Sequence, residues 1–313
     1  IIVGCGTSWH AGLVAEYLFE DIARIPVEVE YASEFRYRNP VITEEDLVIA
    51  ISQSGETADT LAAIELAKEK GATVFGLCNV VGSSIPRASH AGAYTHAGPE
   101  IGVASTKAFT AQVSVLILLA LGFADIRGKI SKSDLRTIMA ELDAIPAKVE
   151  KVLKTEPLIM ELAKKYKDAR NFLYLGRGYA FPVALEGALK LKEISYIHAE
   201  GFAGGEMKHG PLALIDKNFP TFALALTNGV AEKSFSNMQE IKARGGPLVA
   251  VVDDPDSEAA KLADDCIVIP KVPEQLQPIL SAVVTHLFSY HAGKSLDRDI
   301  DKPRNLAKSV TVE

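Results

Sequence analysis

The chain has 313 residues, a formal net charge of −7, a pI near 5.6 and 48% hydrophobic residues. This length and apolar content are enough to bury a large core and predict an ordinary globular protein of two domains. An acidic chain without a clustered basic face is a poor match to a nucleic-acid-binding protein, because such a surface has to follow phosphates.

Three cysteines, Cys5, Cys78 and Cys266, lie far apart in the sequence, so neither a disulfide framework nor a zinc site is indicated. We therefore expect a reducing, cytoplasmic environment. Uninterrupted apolar runs stay below the roughly 18 residues of a membrane span, and the N-terminus lacks the basic region of a signal peptide. The chain begins within a strand-like run at residues 1–3, so we expect further chain to precede it in the full-length protein.

Apolar runs alternate with helical periodicity along the first part of the chain, which is typical of parallel βαβ units. Strands are predicted over residues 1–3, 27–30, 47–51 and 73–77, and helices over residues 11–25, 58–70 and 105–122. A charged helical region at residues 131–168, interrupted by two prolines, is predicted to connect the domains. The alternation then resumes, with strands predicted over residues 172–175, 221–226 and 248–252, and helices over residues 182–194 and 276–293.

The second half of the chain repeats the first. The sequence VGCG at residues 3–6 matches LGRG at residues 175–178, and two later pairs of segments match at a similar spacing of roughly 172 to 175 residues. This regularity predicts an internal duplication. The predicted bounds are a first domain at 1–128, a helical connection at 129–168, a second domain at 169–295 and a C-terminal tail at 296–313.

The segment Ser52-Gln53-Ser54-Gly55-Glu56-Thr57 follows a predicted buried strand and precedes a predicted helix. Hydroxyls, a carboxamide and free backbone N–H groups at a helix N-terminus favour a bound anion. Because the segment has no cation, it suits a small phosphorylated metabolite better than a nucleoside triphosphate, which would call for a P-loop lysine. The alternative is a plain capped helix start, which needs only one of the hydroxyls.

In the second half, the predicted helix at residues 182–194 carries Glu186, Lys190 and Glu193 at spacings of four and three. These spacings place two carboxylates and an ammonium on one helix face. One interpretation is a solvated ladder of salt bridges. The other is a partly buried set that tunes a general base, which the apolar neighbours in the helix favour.

His209 lies on a glycine-flanked loop in the segment GGEMKHGP. It is either an exposed polar side chain or a proton shuttle, since imidazole titrates near neutral pH. The other histidines show no metal-binding spacing, so no metal site is expected. At the position of the phosphate-binding segment, the second half has only Thr227-Asn228-Gly229-Val230, so we expect one half to bind phosphate and the other to supply something else.

The tail is by default a loose terminus. Leu306, Ala307, Val310 and Val312 are apolar enough to pack, which would place the Lys308 amine in a partly desolvated setting suited to attack on a carbonyl. A second hydroxyl-bearing turn, residues 102–107, leads into the long predicted helix; the simplest interpretation of its Ser105 is a helix N-cap.

Five segments together resemble the sugar isomerase (SIS) domains: SQSGETADT at 52–60, EIGVASTKAF at 100–109, ALEGALKLKEISYIHAE at 184–200, EMKHGPLA at 206–213 and RNLAKSVTVE at 304–313. The resemblance covers essentially the whole chain and is closest to the isomerase domains of the glutamine-dependent aminotransferase family that makes glucosamine 6-phosphate. It implies an α/β fold of two tandem flavodoxin-like subdomains, each a parallel sheet flanked by helices, with an irregular tail over the active site.

The resemblance also implies an activity. Fructose 6-phosphate would take up ammonia, released from glutamine in the full-length enzyme, and be isomerised to glucosamine 6-phosphate through an imine and an enediol or enolamine. The domain alone would interconvert hexose 6-phosphates. No metal or organic cofactor is implied, whereas a homodimer and a glutaminase domain in the full-length protein are.

The site residues implied by the resemblance fall into three groups. The phosphate would be bound by Ser52, Gln53, Ser54 and Thr57, with Cys5, Gly6, Thr7 and Ser8 lining the adjacent turn. The sugar would be contacted by Val103, Ser105 and Ala307. In catalysis Lys308 would form the imine, Glu193 would move a proton between C1 and C2, Lys190 and Glu186 would tune that base, and His209 of a neighbouring subunit would open the sugar ring.

The sequence departs from the full enzyme in offering no glutaminase segment, since Cys5 lies at a strand end and is not an N-terminal nucleophile. We expect this chain not to hydrolyse glutamine. Two alternatives remain: a sugar-phosphate deglycase or deaminase, and a non-catalytic regulatory module that binds sugar phosphates. The complete ending around Lys308 favours the aminotransferase, and a mere binding module would need neither Glu193, Lys308 nor His209.

Overall fold

The computed structural model describes residues 1–311, so Val312 and Glu313 of the tail lie outside the described residues. The chain forms two compact units. Unit 1 contains residues Ile1–Lys132 and the tail from Asn305 on, and unit 2 contains Ser133–Arg304. Each unit has a five-stranded parallel sheet with flanking helices, which confirms the predicted fold class.

The strands of unit 1 are Ile2–Gly4 (β1), Val29–Tyr31 (β2), Leu47–Ser52 (β3), Thr73–Cys78 (β4) and Ala91–Tyr94 (β5). Its helices are Thr7–Leu18 (α1), Ala32–Phe35 (α2), Ala58–Glu69 (α3), Ser84–Ala88 (α4) and Lys107–Ile126 (α5), and a π-helical turn, Phe19–Ala23, extends α1. The sheet order is β2-β1-β3-β4-β5. The connection reverses direction between β1 and β3, where flavodoxin-like sheets open a crevice at their carboxyl ends.

A continuous apolar run forms β3 because both faces of this central strand are covered. Val48 and Ala50 pack with Val74 of β4 and with Ala63 and Ile64 of α3 in one buried cluster. The cluster holds the end of β3 and the start of α3 in place. The phosphate-binding segment predicted from the sequence is the loop between them.

Helix α5 is long and apolar enough to cross a membrane by length and composition alone. One such helix is weak evidence, because the core helix of a folded domain passes the same test. Its buried residues include Phe109, Val113, Leu116 and Ile117, and the helix packs against α1. In unit 1, α5 is therefore a core helix.

The strands of unit 2 are Asn171–Gly176 (β6), His198–Ala203 (β7), Thr221–Leu224 (β8), Leu248–Val252 (β9) and Asp265–Val268 (β10). The remaining helices of the chain are Lys132–Asp143 (α6), Ile145–Leu153 (α7), Glu156–Tyr166 (α8), Ala180–Ser195 (α9), Ala231–Lys242 (α10), Glu258–Leu262 (α11) and Gln277–Ser295 (α12). Short 3₁₀ turns occupy Glu206–His209, Pro211–Leu214 and Glu274–Leu276.

The second sheet has the order β7-β6-β8-β9-β10, which repeats the order of the first sheet strand for strand. This agreement supports the predicted duplication. The predicted domain bounds remain a prediction; helices α7 and α8, within the region assigned to a connection, pack against α12 of unit 2. The sequence pattern missed β5, β7 and β10; β5 and β7 are mostly small or charged residues without the β-branched runs that signal a strand, whereas β10 does contain Ile267 and Val268 but has only four residues.

Candidate active site

The loop after β3 is stiffened by its own hydroxyl groups. Ser52 Oγ accepts a hydrogen bond from the N–H of Gly55 at 3.0 Å, and Ser54 Oγ accepts from the N–H of Glu56 at 3.2 Å. The hydroxyls of Ser52 and Thr57 lie 3.1 Å apart, and Gln53 is half-buried beside them. Because a hydroxyl that accepts a hydrogen bond still has its own proton to donate, the loop retains donors for an anion.

Two features make this loop fit for a phosphate. Gly55 has a φ of 70°, and a Cβ atom there would lie 1.9 Å from Ser83 Oγ, so only glycine fits the turn. Glu56 directs its carboxylate away from the loop onto Ser84, whose backbone N–H donates to it at 2.7 Å. Hydrogen bonds from the side chain and backbone of Ser84 hold the pKa of Glu56 below its usual value. The only acidic side chain of the segment is thus engaged elsewhere.

The turn after β1 lies next to this loop in the sheet, because β1 pairs directly with β3. Gly6 has a φ of 53° and begins α1, whose first turn contains Thr7 and the buried Ser8. Gln112 of α5 donates to Ser8 Oγ at 3.1 Å. Burial raises the pKa of the Cys5 thiol, which therefore stays protonated at neutral pH. These two turns flank the reversal point of the sheet, where the fold class places its ligands.

The tail reaches the same loop in unit 1. Ser309 Oγ lies 3.0 Å from Ser54 Oγ, and the carbonyl of Val310 accepts from the N–H of Ala58, the first residue of α3, at 3.2 Å. Lys308 is the neighbour of Ser309 in sequence. The tail thus brings a lysine amine to the region of the phosphate-binding loop.

Lys308 Nζ has three acceptors: Glu100 Oε2 at 3.1 Å, the carbonyl of Gly102 at 2.8 Å and Ser105 Oγ at 3.5 Å. Among the predicted sugar contacts, Ser105 therefore lies beside the lysine, Val103 is half-buried on the same turn, and Ala307 is exposed. Lysine, loop and turn belong to one unit.

Two expectations about these segments are wrong. Leu306, Ala307 and Val310 do not hold the end of the tail by apolar packing, because Leu306 and Val310 are about half exposed and Ala307 is exposed; polar contacts hold Lys308 instead, and Val312 lies outside the described residues. Ser105 does not cap the long helix either. Helix α5 begins at Lys107, and the Glu100 carboxylate accepts from the N–H groups of its first turn.

In unit 2, the predicted helix face is found on α9. Glu186 and Lys190 are completely buried, and the Glu193 side chain is 21% exposed. Lys190 Nζ lies 3.5 Å from Glu186 Oε1 and forms a short ion pair with Glu193 Oε2. His286 of α12 adds a fourth group, with Nε2 3.5 Å from Glu186 Oε1.

Burial alone would lower the pKa of Lys190, but the two carboxylates outweigh it and raise the pKa above its usual value. Lys190 is therefore a buried ammonium between two carboxylates. The interpretation as a solvated ladder of salt bridges is wrong. A carboxylate fixed by a buried ammonium and still partly open to solvent, as Glu193 is, can accept and return a proton.

His209 ends a 3₁₀ turn that follows β7 and is exposed. The next residue, Gly210, has a φ of 147°, a backbone conformation that favours glycine. An exposed imidazole on such a turn is accessible to a second molecule.

The corresponding loop of unit 2 does not offer the same donors. The N–H and hydroxyl of Thr227 both donate to Asp253 Oδ1 at 2.7 Å, and the N–H of Gly229 lies 3.5 Å from Glu274 Oε2. The donors of this loop that could bind an anion are thus already hydrogen-bonded to carboxylates of the chain. Across residues 1–311, His, Cys, Asp and Glu side chains do not form a group of three that could hold a metal ion.

The sequence reasoning missed three residues of these clusters: Glu100, Ser309 and His286. Glu100 lies seven residues before the start of α5, outside the spacing of a capping box. Ser309 and His286 contact residues far away in sequence. Their roles depend on packing, so no local pattern reveals them.

Unit 1 thus offers neutral donors for a phosphate and an amine for a carbonyl, and unit 2 offers a carboxylate set by a buried ammonium. Hydroxyl and amide donors, an amine and a carboxylate can bind an anion, attack a carbonyl and transfer a proton. The family model of the SIS domain matches residues 1–122 and 165–293. The chain belongs to the SIS domain family.

Among curated proteins, the glutamine–fructose-6-phosphate aminotransferase (isomerizing) of Bacteroides thetaiotaomicron is 60% identical over 313 residues, which is 100% of this chain and 51% of that protein. The chain thus spans about half the length of the curated relatives it matches. The solved C-terminal domain of glucosamine-fructose-6-phosphate aminotransferase from Francisella tularensis is 40% identical, with a TM-score of 0.92, over 96% of this chain and 85% of that one. The resemblance predicted from the five segments is confirmed.

A more distant structure shares the fold. Glucosamine-6-phosphate deaminase from Thermotoga maritima matches with a TM-score of 0.77 at 23% identity, over 99% of this chain and 89% of that one. At this identity the likeness concerns the fold alone.

Proposed function

We propose that this chain is the isomerase domain of an aminotransferase that converts fructose 6-phosphate and ammonia into glucosamine 6-phosphate and water. One observation carries the proposal. Within unit 1, Ser309 contacts Ser54 of the loop at 3.0 Å, and the preceding residue, Lys308, directs its amine to the turn at Gly102 and Ser105. A phosphate anchor combined with a lysine amine suits a phosphosugar whose carbonyl forms an imine.

The phosphate is bound by Ser52, Gln53, Ser54 and Thr57, with the turn of Cys5, Gly6, Thr7 and Ser8 alongside. Val103, Ser105 and Ala307 contact the sugar. The Lys308 amine attacks the C2 carbonyl of the open-chain ketose; a C=N bond forms and the carbonyl oxygen leaves as water. Ammonia then replaces the lysine nitrogen, which frees the amine and leaves an imine on C2.

Glu193 takes a proton from C1 and delivers a proton to C2, which shifts the double bond and yields the 2-amino aldose; since Glu193 is 21% exposed, its carboxyl proton can exchange with solvent between the two steps. Lys190 fixes this carboxylate, and Glu186 balances the ammonium so that Lys190 stays charged when Glu193 is protonated. With water in place of ammonia, the same proton transfer interconverts fructose 6-phosphate and glucose 6-phosphate.

His209 opens the sugar ring. Its exposure on a glycine-flanked turn suits a group donated to the site of a neighbouring subunit, so the proposal includes a homodimer. The full-length protein carries a glutaminase domain that supplies ammonia, and it works in the cytoplasm. The proposal requires neither a metal nor an organic cofactor.

The experiment is incubation of the chain with fructose 6-phosphate in deuterated buffer, with and without ammonium. Glucose 6-phosphate labelled at C2, and an amino sugar phosphate formed only with ammonium, are the expected products. Release of ammonia from glucosamine 6-phosphate without synthesis would favour the deaminase alternative. Tight binding of fructose 6-phosphate without any exchange would favour the regulatory module.

Glu193→Gln provides the second arm of the experiment. The amide keeps the size of the side chain but cannot accept the proton, so we expect fructose 6-phosphate to bind normally and label incorporation to fall by at least about 10³-fold. Glu200→Gln is the matched control, because Glu200 is an exposed glutamate on β7 of unit 2. If deuterium incorporation in Glu193→Gln equals that of the unchanged chain, Glu193 is not the base that transfers the proton.

A further inference from the structure

The Glu100 carboxylate is held rigidly in unit 1 by the start of α5. Its Oε1 accepts from the N–H of Thr106 at 2.7 Å and of Ala108 at 3.4 Å, and from the Thr106 hydroxyl at 3.4 Å. The side chain is only 5% exposed. One carboxylate oxygen is thus fixed by a helix N-terminus, which favours negative charge, and the other oxygen points at Lys308.

Lys308 meets three acceptors, the number that an ammonium group can satisfy with its three protons. These acceptors are Glu100 Oε2, the Gly102 carbonyl and Ser105 Oγ. Only Glu100 among them carries a charge. Since Leu306, Ala307 and Val310 around the lysine are exposed, this set of polar contacts is what holds the amine.

We propose that Glu100 is a positioning residue for Lys308. Its carboxylate holds the lysine nitrogen in place and balances the positive charge of that nitrogen, both in the ammonium and in the iminium. The inference rests on the proposed function, in which Lys308 forms an imine with the ketose.

The charge balance of that step explains why a carboxylate is needed. A lysine ammonium and a ketone give an iminium and one water: two nitrogen protons leave with the carbonyl oxygen, and the third stays on nitrogen. The nitrogen loses its charge only for the moment of attack and carries one positive charge before and after. Neither the Gly102 carbonyl nor the Ser105 hydroxyl can balance that charge in a half-buried setting.

The pKa of Glu100 agrees with this role. Burial would raise it, but the N–H of Thr106 and the ammonium of Lys308 outweigh burial and hold the pKa below its usual value. Glu100 is therefore a carboxylate at neutral pH. It is a charge partner for the lysine and a weak base, so the proton transfer on the sugar remains with another group.

The simpler interpretation makes Glu100 a cap for α5 and nothing more. A cap would affect the stability of unit 1 but not the rate at which Lys308 reacts with a bound ketose. The two interpretations therefore differ in one measurable quantity, the rate of iminium formation relative to the affinity for the phosphosugar.

The experiment is reductive trapping. The chain is incubated with fructose 6-phosphate and cyanoborohydride, and mass spectrometry of peptides follows the adduct at Lys308. In Glu100→Gln we expect the adduct to form about tenfold to hundredfold more slowly, the loss expected for a charge-assisted hydrogen bond. The affinity for fructose 6-phosphate should stay within about threefold, because the phosphate-binding loop lies on a separate segment.

Asp264→Asn is the matched control. Asp264 also pairs with a lysine and accepts a backbone N–H, but it does so in unit 2, so its loss should leave trapping unchanged. If Glu100→Gln does not fold, Glu100→Asp retains the charge one methylene further from Lys308 and should trap more slowly than the unchanged chain. An adduct forming at the unchanged rate in a folded Glu100 variant would overturn this inference alone. Absence of any adduct in the unchanged chain would overturn the proposed function, and this inference with it.

Discussion

Among single residues, the side chains proposed to bind phosphate are already oriented by contacts within unit 1. Ser52 and Ser54 accept hydrogen bonds from the backbone of their own loop, and Glu56 is bound to the start of α4. Fewer rotamers then have to be fixed on binding, so less conformational entropy is lost when phosphate binds. The loop is a prearranged set of neutral donors.

Ser54→Ala tests this arrangement. The variant removes a hydroxyl that is proposed to donate to phosphate, and a hydrogen bond to a charged group is worth roughly 1.5 kcal/mol or more. We expect calorimetric titration to show fructose 6-phosphate binding about tenfold more weakly. Ser257→Ala removes the N-cap of α11 in unit 2 and should cost stability without changing the affinity. Equal affinity in Ser54→Ala and the unchanged chain would argue against the loop as the phosphate site.

Lys190→Met tests the buried charges of α9. The methionine fills the space of the lysine but leaves Glu186 as a completely buried carboxylate without its ammonium. We expect the free energy of unfolding to fall by about 3–5 kcal/mol, measured by urea denaturation. His286 Nε2 lies 3.5 Å from Glu186 Oε1, as far as Lys190 Nζ does, so a protonated imidazole there would offset part of this loss.

The double variant Glu186→Gln with Lys190→Met provides the control for that prediction. It removes the charge of Glu186 together with that of Lys190, so we expect at least half of the lost stability to return. If the single variant is as stable as the unchanged chain, Lys190 does not act as the buried partner of Glu186.

At the scale of elements, the position of α9 depends on one glycine. A Cβ atom at Gly187 would lie 2.8 Å from Tyr174 Cε1 of β6 and 2.9 Å from Thr285 Cβ of α12. The absence of a side chain lets the helix approach both neighbours. This close packing is what buries Glu186 and Lys190 on the same helix.

Gly187→Ala should therefore destabilise the chain by about 1–3 kcal/mol through overpacking, as measured by urea denaturation. Gly122→Ala is a matched control, since Gly122 also lies within a helix but has no atom within 4 Å of the added Cβ. That change should be neutral or stabilising by up to about 1 kcal/mol. Equal effects of the two substitutions would show that helix propensity, and not packing, determines the outcome.

The elements differ in how well the sequence predicted them. The run of β3, the loop after it and α3 were predicted closely, because a buried central strand and an amphipathic helix both have strong local patterns. Edge strands such as β5 and β10 were missed because each has only four residues and is incompletely buried, and β5 consists mainly of small residues. Helix α1 starts at Thr7, four residues before its predicted start, because glycine rather than a capping side chain precedes it.

At the scale of the whole molecule, each unit contains a carboxyl group with a lowered pKa. Burial would raise the pKa of Glu100 in unit 1 and of Asp264 in unit 2. For Glu100 the N–H of Thr106 and Lys308 outweigh burial, and for Asp264 the hydrogen bond from Lys242 and the N–H of Leu248 do so. The ordinary pKa values of the two groups, which apply in the unfolded chain, are 4.5 for Glu100 and 3.8 for Asp264.

A carboxyl group whose pKa is lower in the folded state adds stability that is complete above its unfolded pKa and is lost as the pH falls toward its folded pKa. We therefore expect the free energy of unfolding to fall below about pH 4.5 through Glu100 and below about pH 3.8 through Asp264. Urea denaturation from pH 7 to pH 3 measures this dependence. In Glu100→Gln and in Asp264→Asn, the free energy of unfolding should fall less steeply at acid pH than in the unchanged chain. An unchanged pH dependence in either variant would contradict the assignment for that residue.

The two halves of the molecule share a strand order but differ in chemistry. In unit 1 the loop after β3 has hydroxyl donors, whereas Asp253 and Glu274 occupy the corresponding groups in unit 2. The loss of hydroxyls in the second copy was apparent from the sequence. The carboxylates that accept these hydrogen bonds in unit 2 come from other segments, so the sequence pattern did not reveal them.

The α/β class, the duplication, the hydroxyl-rich loop proposed to bind phosphate and the charged face of α9 could all be predicted from the sequence, because each is encoded in the order and spacing of neighbouring residues. Only the tertiary structure decided that Glu186 and Lys190 are fully buried, that Glu100 caps α5 and that it binds Lys308, 208 positions away. Burial and long-range pairing depend on which surfaces pack together. Local spacing does not contain that information, so a lysine on an apparently loose tail became a defined amine only once its three acceptors were known.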